Sequence, residues 1–257
     1  MKLSLITACR NSAATLPTAL ESALRQRGAD YELIVLDGAS TDGTPDLLRA
    51  WEPRFGGRLR WTSEPDGGLY DALNKGIARA TGDLVALLHA DDILDGDDVL
   101  ARWCAPFAEE PGLDAVYGDI RFIPQDATGR EAPTRRYYAG GFWRPWMFRW
   151  GLIPPHPSFA IRREALRRVG GYRTDMRIAA DHEFLLRLFR SGARARYVPF
   201  CTTAMRLGGL STDGLQAKVR LNREIVRANR LNGVWCCLPM MVPKYAYKVF
   251  ELLRRAP

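Results

Sequence analysis

The 257-residue chain has few cysteines and no long apolar segment. Its five cysteines are an odd number, and none has the C-x-x-C spacing of many zinc and redox sites. This disfavours a disulfide framework and predicts a reducing, cytoplasmic setting. The longest uncharged apolar run, residues 234–243, has about half of the ~20 residues that a membrane-spanning helix needs. Residues 3–8 are too few for the apolar region of a signal peptide, so we expect a buried first strand there.

Nucleotide-binding glycine motifs are also missing. The first strand is followed by the sequence TACRN at residues 7–11, which fits neither G-x-G-x-x-G nor the P-loop pattern. Both a dehydrogenase and a P-loop protein are therefore disfavoured. The net charge of +8 is compatible with acidic lipid or nucleic acid as a partner, but the chain contains no recognised nucleic-acid-binding motif.

The first half of the chain repeats a strand-then-helix pattern. Apolar strands are predicted at residues 2–8, 31–36, 59–63 and 84–89, with helical periodicity after the first three. This alternation predicts an α/β fold with a mostly parallel sheet that helices cover on both faces. Ligands bind such sheets at the carboxyl ends of the strands.

Acidic residues follow three of these strands. Asp37 follows the second, Glu64 and Asp66 the third, and Asp91 and Asp92 the fourth. Paired carboxylates at a strand end suit a hard divalent cation, which takes oxygen ligands from protein and from substrate phosphates. The alternative is that the Asp91–Asp92 pair forms only an Asx turn or a helix cap.

The pattern is looser after about residue 110. Tyr137 to Trp150 form an aromatic and basic stretch that could be a lid, a membrane-interface patch or core, and core packing is favoured for most of its aromatic residues. The basic C-terminal tail, with residues 244–248 and 254–255, is the better candidate for membrane contact. Further elements are predicted as strands at 115–123 and 196–206 and helices at 163–169, 181–190 and 212–231.

Five motifs occur in an order that resembles the family-two glycosyltransferases of GT-A fold. They are SLITACRN at 4–11, VLDGASTDG at 35–43, EPDGGLYDALNKG at 64–76, LLHADD at 87–92, and PHPSFAIR at 155–162 together with AADHEF at 179–184. The resemblance covers about residues 1–205. It implies a GT-A domain over 1–205, with a nucleotide-sugar-binding half at 1–110 and an acceptor-side half at 111–205, followed by a helical basic extension at 206–257.

Carried over to this chain, the resemblance implies a donor site and a metal site. Asp91 and Asp92 would form the motif for a divalent metal, Mn²⁺ or Mg²⁺, with Asp92 the direct ligand. Thr7 would lie by the nucleotide base and Asp37 by the base or ribose. Many members have two consecutive acids after the second strand, whereas this chain has Gly38, which leaves the nucleotide open.

Three further residues are assigned to the donor side. Asp66 follows the third strand, and Asn74 and Lys75 lie on the next helix, where they could face the nucleotide sugar. The alternative for Lys75 is a solvated side chain on a helix surface.

On the acceptor side, Asp181 resembles the general base of the family. Such a base takes the proton of the acceptor hydroxyl as that hydroxyl attacks the anomeric carbon, which predicts inversion. The alternative is that Asp181 only caps its helix. His156 would line the acceptor or sugar pocket, or would be a structural hydrogen-bonder. We expect structural roles for His89 and His182 and a solvated Glu183, the alternative being that Glu183 assists Asp181.

The resemblance predicts an inverting, metal-dependent glycosyltransferase. It would move a sugar from a nucleotide-diphosphate donor to a hydroxyl of a glycan or lipid-linked glycan, peripherally on the cytoplasmic face of the membrane and with no nucleic-acid partner. Two alternatives are a non-catalytic basic binding protein on a degenerate transferase fold and a nucleotidyltransferase.

Overall fold

The first strand is buried on both of its faces, because its apolar side chains alternate between two cores. Leu3 and Leu5 pack on one side of the sheet, and Ile6 and Ala8 pack on the other. Such two-sided burial is typical of a parallel strand covered by helices. The computed structural model describes residues 1–127, 129, 131–208 and 214–245, except for the side chain of Leu215.

Within these ranges, nine strands form one sheet and seven α-helices flank it. The strands are β1 (Lys2–Cys9), β2 (Asp30–Asp37), β3 (Leu59–Ser63), β4 (Leu84–Leu87), β5 (Ile93–Leu94), β6 (Ala115–Ile123), β7 (Arg136–Tyr138), β8 (Phe159–Arg162) and β9 (Ala195–Arg206). The helices are α1 (Leu16–Leu24), α2 (Thr44–Trp51), α3 (Leu69–Arg79), α4 (Val99–Glu109), α5 (Arg163–Val169), α6 (Ala180–Arg190) and α7 (Gly214–Leu231).

The strand order is β3-β2-β1-β4-β8-β6-β9-β5, with β7 paired to β6. β3, β2, β1 and β4 are parallel to one another, which confirms the parallel sheet predicted for the first half. The second half pairs in both directions: β8 is antiparallel to β4 and β6, whereas β9 is parallel to β6. β4 ends at Leu87, two residues earlier than predicted, so the Asp91–Asp92 turn begins sooner.

Two hydrophobic cores lie on opposite faces of the sheet. Residues of α1, α2 and α4 form one core, and residues of α3, α5 and α6 form the other. This two-faced arrangement is the one predicted from the strand–helix alternation. It leaves the carboxyl ends of β1 to β4 as a shared edge, where the predicted donor residues lie.

The helix predicted at 212–231 is observed from Gly214, and residues 212–213 lie outside the described residues. This helix packs against α6, and its own residues Ile225, Ala228 and Asn229 are buried. Val226 and Ile225 share a small core with Ala179, next to the start of α6. The domain boundary at 205/206 stays a prediction.

The turn into β4 docks closely on β1 at Gly82. A Cβ at this position would lie 2.7 Å from the Ser4 amide nitrogen and 2.8 Å from the Lys2 carbonyl oxygen. The Gly82 amide also donates a 2.9 Å hydrogen bond to Ser4 Oγ. Because backbone atoms of a central strand cannot move aside, this contact excludes any side chain at position 82.

We therefore predict that Gly82→Ala lowers the free energy of unfolding by about 1–3 kcal/mol, measured by thermal and denaturant unfolding. Gly112→Ala is the matched control, because its Cβ would meet only Arg194 Nη1, at the end of an exposed side chain that can swing away. The control should change stability by less than about 0.5 kcal/mol. Equal losses in the two variants would contradict the steric argument.

Candidate functional site

The ends of β1, β2 and β3 are in register, so Cys9, Asp37 and Ser63 lie side by side. Asp37 is buried, and its Oδ2 accepts hydrogen bonds from Ser63 Oγ at 2.6 Å and from the Ser40 amide at 3.1 Å. Ser40 Oγ donates to Oδ1. These donors satisfy the buried charge and hold the carboxylate at the edge of the sheet. Thr7 is also buried, two residues before the end of β1 and opposite Val35.

The carboxylate of Asp66 lies against Gly38, the position where many family members have a second acid. A Cβ on Gly38 would lie 2.5 Å from Asp66 Oδ2. Asp66 Oδ1 accepts a 2.8 Å hydrogen bond from the Gly68 amide, which keeps the side chain in place. The loop after β3 thus supplies a carboxylate to the space that a side chain at position 38 would enter.

Lys75 and Asn74 face different surroundings, although they are adjacent on α3. Lys75 Nζ donates to the Pro65 carbonyl at 3.1 Å and lies 3.3 Å from Asp71 Oδ2, beside the loop that holds Asp66. Asn74 exchanges two hydrogen bonds with the Tyr172 backbone, at 2.7 and 2.8 Å. Lys75 is therefore near the predicted donor site, whereas the Asn74 amide joins α3 to the loop before α6.

Asp92 is buried at the turn after β4, and its Oδ2 has no hydrogen-bond partner among the described residues. Burial raises the pKa of Asp92 well above its usual range, and the Asp91 charge raises it further. Arg206, at the end of β9, donates a hydrogen bond to the Asp91 carbonyl. Its positive charge lowers the pKa of Asp92 and so partly opposes these two effects. A buried carboxylate with one unpartnered oxygen, next to a second carboxylate, is an environment that a divalent cation would stabilise.

Among the described residues, no group of three or more His, Cys, Asp or Glu side chains is placed to hold a metal ion. The two carboxylates of the Asp91–Asp92 turn would therefore need oxygen ligands from substrate or water. Magnesium sites in particular often have one or two protein carboxylates plus substrate phosphates. The residues present fit a cation shared with a phosphorylated ligand.

Asp181 lies in the first turn of α6 and is partly buried. Its Oδ1 accepts a 2.7 Å hydrogen bond from the His182 amide. Burial raises the pKa of Asp181 to about 6, and the nearby Glu224 charge also raises it. The carboxyl group can therefore accept a proton near neutral pH. Burial raises the pKa values of Tyr70 and Tyr172, whose rings stack at 5.7 Å, and the Asp181 charge raises them further.

His156 connects the two parts of the site. It is buried, and its Nε2 lies 2.9 Å from the Tyr172 hydroxyl, while its ring is 6.5 Å from that of His89. Burial lowers the pKa of His156 to about 3, so the ring is neutral at physiological pH. It lies between the turn after β4 and the segment that leads to Asp181.

Two charged residues are placed differently from expectation. Glu183, predicted to be solvated, is buried and forms an ion pair with Arg187 at 2.9 Å, because α7 covers this part of α6. Lys244, assigned to a membrane-facing tail, is buried, and its Nζ donates to Asn222 Oδ1 at 2.6 Å. Residues 246–257 of that tail lie outside the described residues.

His182 is buried with its ring edge-on to Phe148, which agrees with the structural role expected of it. The aromatic stretch at 137–150 is divided between core and surface. Trp143 and Phe148 are buried with Tyr137, as predicted, whereas Phe142 and Trp146 are exposed.

Sequence reasoning missed Glu224 of α7. Its carboxylate accepts hydrogen bonds from three successive backbone amides, those of residues 177–179, just before α6. One signal was available, because Glu224 is the only acid between Gly214 and Leu231 in a helix that holds five basic residues. Arg206 was missed because its contact with the turn after β4 spans more than a hundred residues.

Together, the parallel half-sheet, the acids at its carboxyl edge and the partly buried acid of α6 match the arrangement expected of a transferase of GT-A fold. The glycosyl transferase family 2 model matches residues 4–170, and the chain belongs to that family. It is a glycosyltransferase, so neither the non-catalytic binding protein nor the nucleotidyltransferase is retained.

Relatives have similar sequences over most of the chain. A PGL/p-HBAD biosynthesis glycosyltransferase of Mycobacterium tuberculosis is 35% identical over 211 residues, which cover 81% of this chain and 78% of that protein. An uncharacterized glycosyltransferase of Nostoc sp. is 28% identical over 180 residues, covering 66% of this chain and 53% of that protein.

Two solved structures share the fold. S. aureus TarS 1-349 in complex with UDP-GlcNAc has a TM-score of 0.67 at 18% identity, covering 89% of this chain and 66% of that one. The mannosyltransferase PcManGT from Pyrobaculum calidifontis, in complex with GDP-Man and Mn²⁺, has a TM-score of 0.66 at 23% identity, covering 97% and 70%.

Proposed function

We propose that this glycosyltransferase is metal-dependent and inverting, and that it moves a sugar from a nucleotide-diphosphate donor to a hydroxyl of a glycan or lipid-linked glycan. The observation that carries the proposal is the pair of acidic centres, the buried Asp92 and the partly buried Asp181, with His89, His156 and Tyr172 lying in contact between them. A cation site and a general base are the two groups that such a transfer needs. The UDP-GlcNAc and GDP-Man complexes of the structural neighbours support the donor class.

On the donor side, we assign Asp37 and Asp66 to the nucleotide base and ribose, with Thr7 beside the base. Support comes from the placement of both carboxylates at the same edge, since Asp66 reaches the space next to Gly38, the residue after Asp37. Lys75 is assigned to the donor because it lies beside the Asp66 loop. We assign Asn74 to holding the two halves together, since its amide is engaged by Tyr172.

The metal assignment rests on Asp91 and Asp92. These carboxylates would hold Mn²⁺ or Mg²⁺, and Asp92 would be the direct ligand because its Oδ2 is buried and unpartnered among the described residues. When bound, such an ion supplies charge stabilisation for the leaving diphosphate. The Mn²⁺ present in the PcManGT complex supports the choice of ion.

Asp92→Asn should abolish the metal-dependent part of donor binding. It should also raise the melting temperature of the metal-free protein at neutral pH, because it removes a carboxyl group whose raised pKa reflects the cost of its burial, and it removes almost no volume. The measurement is a thermal shift with UDP and GDP, each with Mn²⁺ and with chelator, since ligand binding to the folded state raises the midpoint.

Asp98→Asn is the matched control, since Asp98 is an exposed acid six residues further along the chain. The control should keep the metal-dependent shift of the wild type. If Asp92→Asn keeps the same shift as wild type, the metal assignment is wrong.

Asp181 is assigned as the general base. It would take the proton of the acceptor hydroxyl while that oxygen attacks the anomeric carbon from the side opposite the leaving diphosphate, which inverts the configuration. The pKa of about 6 supports this role, because the carboxylate is ionised at pH 7 and still basic enough to accept a proton. We assign His156 to the acceptor side, where its neutral ring lies against Tyr172.

We predict that Asp181→Asn lowers turnover by about 10²–10⁴-fold, because it removes the base and almost no volume. Turnover of the wild type should fall as pH drops through about 6, where Asp181 becomes protonated. The assay is the release of UDP or GDP from a panel of nucleotide sugars, with glycan and glycolipid acceptors.

Asp46→Asn is the control, because Asp46 is an acid in the first turn of α2, as Asp181 is in α6, but is exposed. Both variants should bind UDP or GDP with Mn²⁺ as the wild type does. Near-normal turnover in Asp181→Asn would mean that another group is the base.

A lipid-linked acceptor requires access to a membrane surface. Among the described residues, no helix has the length and apolar character needed to cross a bilayer. We propose peripheral contact through the outer face of α7 and the residues after it, on the cytoplasmic side. A cavity of about 670 Å³ there is lined by Arg223, Arg230, Leu231 and Leu238 among others. Trp235, which is 70% exposed, follows α7 and lies between Leu231 and Leu238 in the sequence.

This mixture of arginine with exposed leucine and tryptophan suits an anionic lipid interface. The cytoplasmic side is supported by the five cysteines, all of which are free.

Replacement of Arg220, Arg223 and Arg230 by Gln should weaken binding to phosphatidylglycerol vesicles roughly 100-fold, because each basic residue contributes about 1 kcal/mol, which is about a factor of five. The measurement is vesicle co-sedimentation, with phosphatidylcholine vesicles as the uncharged comparison.

The control is the triple change of Arg25, Arg49 and Arg54 to Gln, which alters net charge equally on the surface of α1, α2 and the turn after it. Equal losses in the two triple variants would show that only net charge matters and that α7 is not the contact face.

A further inference from the structure

The segment before α6 contains three successive backbone amides, those of residues 177–179, that bind one carboxylate. Glu224 Oε2 accepts hydrogen bonds from the amides of Ile178 at 2.8 Å and Ala179 at 2.9 Å, and Oε1 accepts one from Arg177 at 3.1 Å. Three successive N–H groups that point at one carboxylate form a concave nest for negative charge. The carboxylate comes from α7, 45 residues away from Ala179.

These three amides precede α6, so they lie outside the hydrogen bonds of the helix itself. Ala179 is fully buried, and a buried backbone N–H group without a partner is costly. Glu224 supplies the acceptor for this amide and for its two neighbours from another helix.

The segment is also held from the opposite side. The Tyr70 hydroxyl of α3 donates a 2.7 Å hydrogen bond to the Ile178 carbonyl. Ile178 thus has its N–H fixed by Glu224 and its C=O fixed by Tyr70. Asp181 lies three residues further on, so its carboxylate can move only as far as these two contacts allow.

We propose that Glu224 is a positioning residue for Asp181, holding residues 177–179 so that the first turn of α6 presents the Asp181 carboxylate to the acceptor. This inference rests on the proposed role of Asp181 as the general base. Glu224 contacts neither donor nor acceptor in this assignment. It acts through the backbone of the loop and through its own charge.

The negative charge of Glu224 also acts on Asp181 directly, which a contact that only stabilises the loop would not do. The groups that act on Asp181 are Glu224 from α7, Tyr70 from α3, Tyr172 from the loop before α6, and the His182 amide of α6 itself. Of these, Glu224 raises the pKa of Asp181 through its negative charge. Loss of that charge lowers the pKa, so the carboxylate stays ionised at lower pH and becomes a weaker base.

The test uses the full chain with Glu224→Gln. Gln keeps the length of the side chain and one acceptor oxygen, but its NH₂ group cannot accept from an amide, so at least one hydrogen bond is lost. We expect faster hydrogen exchange at the amides of residues 177–179. We also expect the Asp181 carboxyl ¹³C resonance, assigned by its absence in Asp181→Asn, to titrate below the wild-type value of about 6. Turnover should fall roughly 10- to 100-fold, with binding of UDP or GDP with Mn²⁺ unchanged.

Two further variants make the result specific. Glu164→Gln removes a negative charge from an exposed site on α5 and should leave exchange, titration and turnover at wild-type values. Glu224→Asp keeps the charge and should restore the Asp181 titration even if its shorter side chain loosens the loop. Binding of UDP or GDP with Mn²⁺ reports that each variant is folded.

The outcomes separate the two proposals. If Asp181→Asn loses turnover but Glu224→Gln retains wild-type exchange, titration and turnover, the positioning role is wrong and the base assignment stands. If Asp181→Asn retains turnover, the base assignment is wrong, and with it the catalytic meaning of the Glu224 contact. A fall in melting temperature alone, with titration and turnover unchanged, also overturns the positioning role.

Discussion

A carboxylate removed from water costs several kcal/mol unless donors or a cation compensate it, and this protein buries such groups at its candidate site. Asp37 is compensated by Ser40 and Ser63, which donate to both of its oxygens. Asp92 retains an oxygen without a donor among the described residues, and its pKa is raised accordingly. The Asp37 carboxylate therefore has its hydrogen bonds within the protein. The Asp92 carboxyl group is destabilised by burial, and a bound ligand can stabilise it.

The two halves of the molecule meet through a few polar contacts beside these acids. Asn74 of α3 binds both backbone groups of Tyr172, and the Tyr172 hydroxyl contacts His156. Tyr70 and Glu224 hold Ile178 from opposite sides. The carboxyl edge of the sheet and Asp181 therefore belong to one connected structure, in which Glu224 of α7 holds the segment before α6. Family membership makes the chain a glycosyltransferase, and this connection is the physical basis for assigning roles within it.

Local patterns predicted much of this arrangement. Apolar alternation identified β1 to β4, because residues buried on both faces of a parallel sheet leave that pattern in the sequence itself. The acids at the ends of β2 and β4 were found for the same reason, since topology brings the carboxyl ends of parallel strands to one edge. The motifs added the family.

Contacts between distant residues could not be predicted in this way. The approach of Asp66 to Gly38, the burial of Glu183 and Lys244, and the reach of Glu224 to the loop before α6 depend on how loops and helices pack. The antiparallel pairing of β8 with β4 is equally non-local.

The sequence by itself determined the strand–helix order, the family and the positions of the acids, because these depend on neighbouring residues and on spacing along the chain. Only the tertiary structure decided which acids are compensated and which are not. A carboxylate's hydrogen bonds, burial and pKa depend on groups that lie far away in sequence and come together only when the chain packs.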